Sequence, residues 1–332
     1  MNSREELRTM LGGFRISAAL AVAAELGLSD HLSAGPRSVA DLARAVNADE
    51  GTLRRLLRAL ANVGVYAEQP ADTFANTPVG EGLRSDVPAT MRPLARTLAE
   101  PEVWSAWGHL MHSVRTGENA FQALNGVDVW THRLSRPEQN AVFNANMTAL
   151  SSMVAGAVAA AYDFADLSSV VDVGGGQGVL LEAVLAAHPQ LTGTVFDQAH
   201  VVAQAPTPDA TASVAERWAA ASGSFFESVP TADVHLLKSI LHDWPDEECQ
   251  QILATCQRAL RPGGVVLVVE TVLGRPGYEV DAAFSDLNML VLPGGRERTE
   301  QEYAALFAAA GLRLTRVVDT GTRYSIVEGV SE

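Results

Sequence analysis

Lysine is nearly absent: Lys238 is the only one among 24 basic side chains, set against 39 acidic ones for a formal net charge of −15. A chain so short of positive charge repels nucleic-acid phosphates and anionic membrane surfaces, so neither is expected as a main partner. Cysteine is equally scarce. Cys249 and Cys256 lie on one expected helix, about 10 Å apart at 1.5 Å of rise per residue, which excludes a disulfide between them. Two thiols with no Cys or His neighbour also fail as a structural zinc site. No uncharged apolar run approaches the roughly 18 residues of a bilayer span. The opening MNSREELRTM lacks a basic segment followed by an apolar one, so a cytoplasmic protein is expected. Internal repeats and low-complexity linkers are missing too.

What is present suits a soluble, packed protein: 332 residues, 47% apolar and 19% charged, a length of about two domains at roughly 150 residues each. The charge is uneven. Residues 1–100 carry 11 basic and 12 acidic side chains, leaving −14 for the remainder.

Helical periodicity runs over residues 3–34, with Leu11, Phe14, Ala18, Val22 and Leu26 on one face. A helix-turn-helix is expected over 38–66, with Ser38 capping VADLARAV and Thr52 opening the second helix. A hairpin or wing follows over 65–79, and helices continue to about 161. After Phe164 strands and helices alternate: strands are expected at 168–173, 193–196, 217–222, 233–240 and 264–271, a parallel sheet with crossovers. The last pair, 313–320 and 322–330, is separated by Gly321 alone, which makes the final strand antiparallel.

The strongest local signal is VDVGGGQG, residues 171–178, a buried strand entering a glycine turn and then a helix. Such a turn lets a ligand approach the backbone at the positive end of the helix. The dinucleotide fingerprint would need a third glycine where Val179 stands. Asp172, two residues before Gly174, would oppose a pyrophosphate but can accept from an ammonium group, which S-adenosylmethionine has. Asp197 ends the second strand, where a carboxylate can accept both ribose hydroxyls. His242 follows the fourth strand at the carboxyl edge, where open sheets bind ligands. It could take the proton of a phenol as the oxygen attacks a methyl group, with Glu270 or Glu297 on its other ring nitrogen. Asp243 and Trp244 read as structural, His235 as a satisfied core residue. His109 and His112 share a helix face without a third ligand, so no metal site is expected.

The motifs VDVGGGQG, FDQAHVV (196–202), GSFFESVPTADVHLLKSILHDWPDEEC (223–249), ALRPGGVVLVVE (259–270) and PGGRERT (293–299) occur in one order over nearly the full length. Through them the chain resembles the caffeate and hydroxyindole type of S-adenosylmethionine-dependent O-methyltransferases, and more loosely the branch that methylates aromatic polyketides in antibiotic pathways. The resemblance implies an α/β fold: a seven-stranded Rossmann-like methyltransferase domain (162–332, last strand antiparallel) with an N-terminal all-α, winged-helix-like dimerisation and substrate-lid domain (1–161). It implies a homodimer through N-terminal helices that reach the other protomer's site.

The resemblance also implies roles. His242, Glu270 and Glu297 would be catalytic. Asp172, Gly174, Gly176, Asp197, Ser224, Phe225, Lys238 and Ser239 would hold the cofactor, with serine at 224 where the family usually has aspartate. Trp104, Trp107, Phe143, Met147, Phe284 and Leu287 would wall the acceptor, Asn146 and Asn288 would hydrogen-bond it, and Arg15 or Arg296 would pair with its carboxylate. The implied acceptor is a small, polyketide-derived phenol such as a hydroxynaphthoic acid, and no metal is implied. Two other readings stay open. Arg54, Arg55 and Arg58 on the outer face of the helix-turn-helix would suit a transcription regulator, against which the near-neutral first hundred residues stand. Decarboxylation or hydroxylation on the same cofactor fold is the second, disfavoured by the presence of His242, Glu270 and Glu297.

Overall fold

The computed structural model describes residues 3–205 and 214–332. Contacts divide the chain into two compact units, Met1–Trp104 with Arg136–Ala149, and Ser105–Ser135 with Leu150–Glu332. A single cut at residue 161 therefore does not describe the division. The reason is apolar burial: Ala155, Val158 and Ala159 pack with Val170, Val195 and Leu236 of the sheet region, and Ala106, Phe121 and Val129 pack with Val291.

In the first unit, helices α1 (Ser3–Leu11) and α2 (Gly13–Glu25) are separated at Gly12. Ser38 caps α3 (Val39–Val46) by accepting from the Asp41 N–H, as its position predicts. The next helix, α4 (Glu50–Asn62), starts earlier than expected: Asp49 is its cap, accepting the Thr52 N–H at 2.8 Å. Thr52 belongs to the first turn. Leu53, Leu57 and Leu60 of α4 meet Leu28, Leu42, Val65 and Phe74 in one core. The wing is a hairpin, Tyr66–Gln69 with Thr73–Asn76, joined by the short strand Arg37–Ser38. Arg54 is forked onto Asp72 and Glu50, and Arg58 pairs with Glu68. Those two arginines are neutralised locally, which weakens any phosphate-binding face.

Leu7, Met10, Leu11 and Phe14 on α1 and α2 are each more than half exposed. By length and hydropathy alone the stretches Ser3–Glu25 and Pro137–Ala161 match membrane spans. The first carries Arg4, Glu5, Glu6, Arg8 and Arg15, and the inner end of the second is committed to the core of the sheet unit.

The second unit is built on a seven-stranded sheet: β1 (Ser169–Val173), β2 (Thr192–Asp197), β3 (Trp218–Ser222), β4 (Ala232–Lys238), β5 (Leu260–Glu270), β6 (Leu312–Asp319) and β7 (Ser325–Ser331). Their order is β6-β7-β5-β4-β1-β2-β3. The first five run parallel, and β7 lies antiparallel between β6 and β5. Residues 320–324 connect the last two strands, a longer link than Gly321 alone. The long helix α5 (Pro137–Ala161) enters the unit at its C-terminal end, followed by α6 (Val179–Ala187), α7 (Asp246–Ala259), α8 (Glu279–Val291) and α9 (Glu300–Ala309). Cys249 and Cys256 on α7 are fully buried core residues. His235 is likewise core, its Nε2 within 2.8 Å of the Pro230 carbonyl.

Beyond its apolar packing, the end of α5 is tied to the sheet by a buried hydrogen bond. Tyr162 donates its hydroxyl to Glu328 on β7 at 2.7 Å, and burial, first, pushes the phenol far above its ordinary ionisation range. Tyr162→Phe should lose about 1.5–3 kcal/mol, the cost of removing a hydrogen bond to a charged group. An unchanged urea unfolding midpoint would sink this.

Candidate active site

The glycine turn is shaped by backbone demands. Gly174 and Gly176 have φ of +70° and +58°, values a residue with Cβ rarely adopts. A Cβ on Gly174 would stand 2.3 Å from Ile240 Cδ1, whereas around Gly176 there is open space. Asp197 holds the turn: its Oδ2 accepts the Gly176 N–H at 2.9 Å and Oδ1 the Gln198 N–H at 2.6 Å. Beneath the turn Asp172 is buried, with no hydrogen-bond partner for Oδ2 among the described residues. Burial above all raises its carboxyl to about 7, with Lys238 opposing and Asp197 assisting. Asp197 is also raised, chiefly by burial. A buried carboxyl, Asp172, and a half-buried one, Asp197, beside the glycine turn make an acceptor-rich surface that a cationic ligand would fit.

After β3, Ser224 turns its hydroxyl onto the Phe226 N–H, while Phe225 packs edge-on against Phe226 and Trp244. At the end of β4, Lys238 donates to Ser239 Oγ at 3.1 Å and sits 4.9 Å above the Tyr324 ring. Arg323 flanks the same ring and donates to the Tyr324 hydroxyl at 2.8 Å. Burial opposes ionisation of that phenol, yet the two cations bring it down to about 8. Ser239 itself has φ of +55°, uncommon for a residue with a side chain.

The loop after β4 presents His242. Here the structure separates two glutamates that are interchangeable in the sequence. Glu297 Oε1 lies 3.0 Å from His242 Nδ1 and also accepts the Ser285 hydroxyl at 2.6 Å. Glu270 instead turns Oε1 to the backbone N–H groups of Ile240, Leu241 and His242 at 3.0, 2.8 and 3.3 Å. Its Oε2 faces Nδ1 at 3.4 Å. A two-residue parallel bridge, Val272–Leu273 with Arg298–Thr299, carries Glu297 to this place. Asp243 completes the cluster, its Oδ1 3.6 Å from His242 Nε2.

The charges follow from these contacts. Burial works against a cationic His242, but Glu270, Asp243 and Glu297 together outweigh it and hold the imidazole well above 6.5. Burial likewise opposes the Glu297 charge, and His242 with the Ser285 hydrogen bond overcomes it, keeping this carboxyl below its ordinary range. Glu270 is raised by its complete burial. Asp243, expected as a structural residue near the helix start, is a half-buried member of the cluster, raised to about 7 by removal from water first and then by the two glutamates. One donor atom from each of His242, Glu270 and Glu297 lies within 4.8 Å of the other two, a spacing that a cation could also bridge.

With this geometry in view, similarity to known proteins decides the family. A model described as the O-methyltransferase domain matches residues 107–313, and one described as the O-methyltransferase dimerisation domain matches residues 9–86. The chain belongs to the O-methyltransferase family. It is 39% identical to the phenazine O-methyltransferase of Lysobacter antibioticus, over 97% of this chain and 94% of that one. It is 40% identical to the mitomycin biosynthesis 6-O-methyltransferase of Streptomyces lavendulae, over 96% and 92%. The crystal structure of the neocarzinostatin-biosynthesis O-methyltransferase NcsB1, solved with S-adenosylmethionine and 2-hydroxy-5-methyl naphthoic acid, superposes with TM-score 0.81 at 36% identity, covering 96% of each chain. This chain is accordingly an S-adenosylmethionine-dependent O-methyltransferase with a Rossmann-like core and an N-terminal dimerisation domain.

The acceptor residues expected of an O-methyltransferase fall in both units. In the second, Trp107 donates from Nε1 to Asn288 Oδ1 at 3.1 Å, Leu287 is half-buried and Phe284 is exposed on α8. In the first, Trp104 lines a cavity of about 490 Å³ with Ala18, Val22, Glu25 and Arg96. Asn146 of the same unit is buried, its Oδ1 without a partner among the described residues, and Phe143 and Met147 are half-buried near it in sequence on α5. Arg15 is exposed, over the Phe14 ring. Arg296 is the exception: Nη2 reaches Asp246 at 2.5 Å and Nη1 reaches Glu302 at 3.3 Å. Its guanidinium is committed to two protein carboxylates, so it is a poor candidate for binding a substrate carboxylate.

Sequence reasoning missed Ser285, which holds Glu297, and Asp286, which accepts the Glu297 N–H at 2.9 Å. Neither stands in a motif. Tyr324 and Arg323 were hidden in the last hairpin.

Proposed function

We propose that this enzyme methylates a phenolic hydroxyl of a small flat aromatic, with His242 as general base. The observation that carries this reading is the Nδ1 contact of His242 with a low-pKa Glu297, which requires Nδ1 to be the donor and leaves Nε2 as the nitrogen able to accept a proton. Bound S-adenosylmethionine supplies an electrophilic methyl group on a sulfonium. Asp172 would accept from its ammonium group and Asp197 from its ribose hydroxyls, and Gly174 and Gly176 would leave room for it to approach the backbone. Phe225, with the turn at Ser224, would lie beside the adenine, while Lys238 and Ser239 would border the methionine end. With that methyl group in place, His242 Nε2 would take the proton of the acceptor's phenolic hydroxyl. Glu297 stabilises the resulting imidazolium, and Glu270 holds the backbone from which the ring projects.

The triad reads as a proton-handling network rather than a cation site. Glu270 Oε1 is taken up by three amides and Nδ1 by Glu297. The acceptor class follows from the wall residues Trp107, Leu287 and Phe284 and from relatives named for phenazine and for a dihydroxy-methyl-naphthoate. A hydroxynaphthoic acid fits both, with Arg15 the remaining partner for its carboxylate. The exposed stripe Leu7, Met10, Leu11 and Phe14 would be covered in a homodimer through the dimerisation domain.

Because His242 must be neutral to accept a proton and its neighbours hold it charged, turnover should rise with pH through an apparent pKa above 6.5. His242→Gln should cut kcat by about 10²–10⁴ and flatten that limb, and dialysis against a chelator should leave the native rate unchanged. Full turnover of the variant in a labelled methyl transfer assay would overturn the base; loss of activity to the chelator would favour a metal.

Cofactor affinity has its own pH dependence. Asp172 and Asp197 are raised when empty and must be ionised to accept from the ligand, so protonation competes with binding. S-adenosylhomocysteine should bind more tightly at about pH 8 than at about pH 6, with proton release on binding; a flat titration calorimetry profile would count against these two acids.

Across a panel of hydroxylated naphthoates, anthraquinones and hydroxycinnamates, Arg15→Ala should raise KM for carboxylated acceptors alone. An unchanged KM would remove Arg15 from the site.

A further inference from the structure

The segment Gly295–Arg298 lies against the loop that bears His242, and its contacts bracket that residue on both sides. Arg298 is fully buried. Its Nη1 donates to the Leu241 carbonyl at 3.0 Å and to the Arg296 carbonyl at 3.2 Å. Its Nη2 donates to the Trp244 carbonyl at 2.9 Å and to Asp246 Oδ1 at 2.8 Å, and Nε reaches the same oxygen at 3.1 Å. One guanidinium thus ties the residue before His242 to the second residue after it and to the start of α7. Burying an arginine is costly unless every donor is used with good geometry, and here the five contacts occupy all three nitrogens.

Gly295 makes a second, independent demand. Its φ is not in the left-handed region, so conformational freedom does not explain a glycine. A Cβ there would stand 2.1 Å from the His242 carbonyl oxygen, 2.5 Å from Asp243 C and 2.6 Å from Trp244 N. All three are backbone atoms, which no rotamer change can move aside. The strap can press against the His242 backbone only if residue 295 has no side chain. Between these two anchors Glu297 reaches the imidazole itself.

We propose that Gly295 and Arg298 are positioning residues for methyl transfer: they set the backbone of residues 241–244 so that His242 Nε2 stands at the distance an acceptor hydroxyl requires. The proposal rests on the reading of His242 as the base. Glu297 fixes the ring's rotation and Glu270 fixes the amides; the strap fixes where the loop as a whole sits. A displacement on the order of 1 Å is enough to cost about a hundredfold in rate. Neither residue touches the glycine turn, Asp172 or Asp197, so cofactor binding should not register the change.

The test uses the full chain as Gly295→Ala, Arg298→Lys, His242→Gln and the double variant Arg298→Lys with His242→Gln, measuring kcat, acceptor KM, S-adenosylhomocysteine Kd and thermal midpoint. We expect Gly295→Ala and Arg298→Lys each to lower kcat about tenfold or more, with the S-adenosylhomocysteine Kd changed less than about twofold. In the His242→Gln background Arg298→Lys should cost almost nothing further, because both act through one group. Should Arg298→Lys not accumulate as folded protein, Asp246→Asn, at a half-exposed carboxylate, carries the same comparison. If Arg298→Lys loses as much rate without His242 as with it, or lowers only the thermal midpoint, the positioning role is wrong while the base stands. Full turnover of His242→Gln overturns both.

Discussion

Glu270 has no solvent exposure, and a carboxylate in such a place is tolerable only when its oxygens are met by donors. Three consecutive backbone N–H groups, from Ile240, Leu241 and His242, converge on Oε1. That contact joins the end of β5 to the loop after β4 and so determines where the imidazole stands. The remaining features of the site adjust to it. With Oε1 occupied, Oε2 is left 3.4 Å from Nδ1, and a second carboxylate, Glu297, takes the shorter hydrogen bond to the ring. Asp243 then becomes the third acid around one cation, its carboxyl raised by desolvation first and by the two glutamates after it.

The sequence showed much of this and concealed the rest for identifiable reasons. The turn at Gly174–Gly178 was legible because a buried strand, three glycines in the left-handed region and a helix are adjacent in the chain. His242 was legible as a polar residue just past a strand. Which glutamate meets Nδ1 was not, because that depends on the pairing of Arg298–Thr299 with Val272–Leu273, two short segments whose register no periodicity announces. The arginines of the motif RER are a sharper case. Arg296 and Arg298 are two apart and alike in type, yet one is half-exposed on Asp246 and Glu302 while the other is sealed beneath the loop. Local sequence does not say which arginine faces in.

The compact units differ from a single cut at residue 161 for a similar reason. A change of rhythm from helices to strands near residue 164 marks where the sheet begins, but a compact unit is defined by what shares a core. Phe121 and Val129 sit well before the first strand and share theirs with Val291 of α8. Helical segments far apart in the chain therefore belong to the sheet unit, and α5 is divided along its length.

The strand pleat organises the chemistry across the sheet. Successive side chains on a strand point to opposite faces, and Val170, Leu236 and Val269 share one core while Val171, Leu237 and Val268 share the other. By the same alternation Asp172 and Lys238 project on the first face and Glu270 on the second, all near the carboxyl ends of their strands. The acid proposed to meet the donor's ammonium and the acid that supports the proposed base are thus kept on opposite faces. The sole lysine and Arg323 flank Tyr324 on the first face. On the second, three acids surround His242 and hold it charged. The separation lets one edge of one sheet receive a cationic methyl donor without forcing its carboxylates to share space with those that stabilise the imidazolium. Had Glu270 occupied the first face it would have joined Asp172 and Asp197, whose carboxyls are already raised by burial, and a third acid there would have raised them further. The five acids of the site are therefore tolerated near one sheet edge because the sheet divides them.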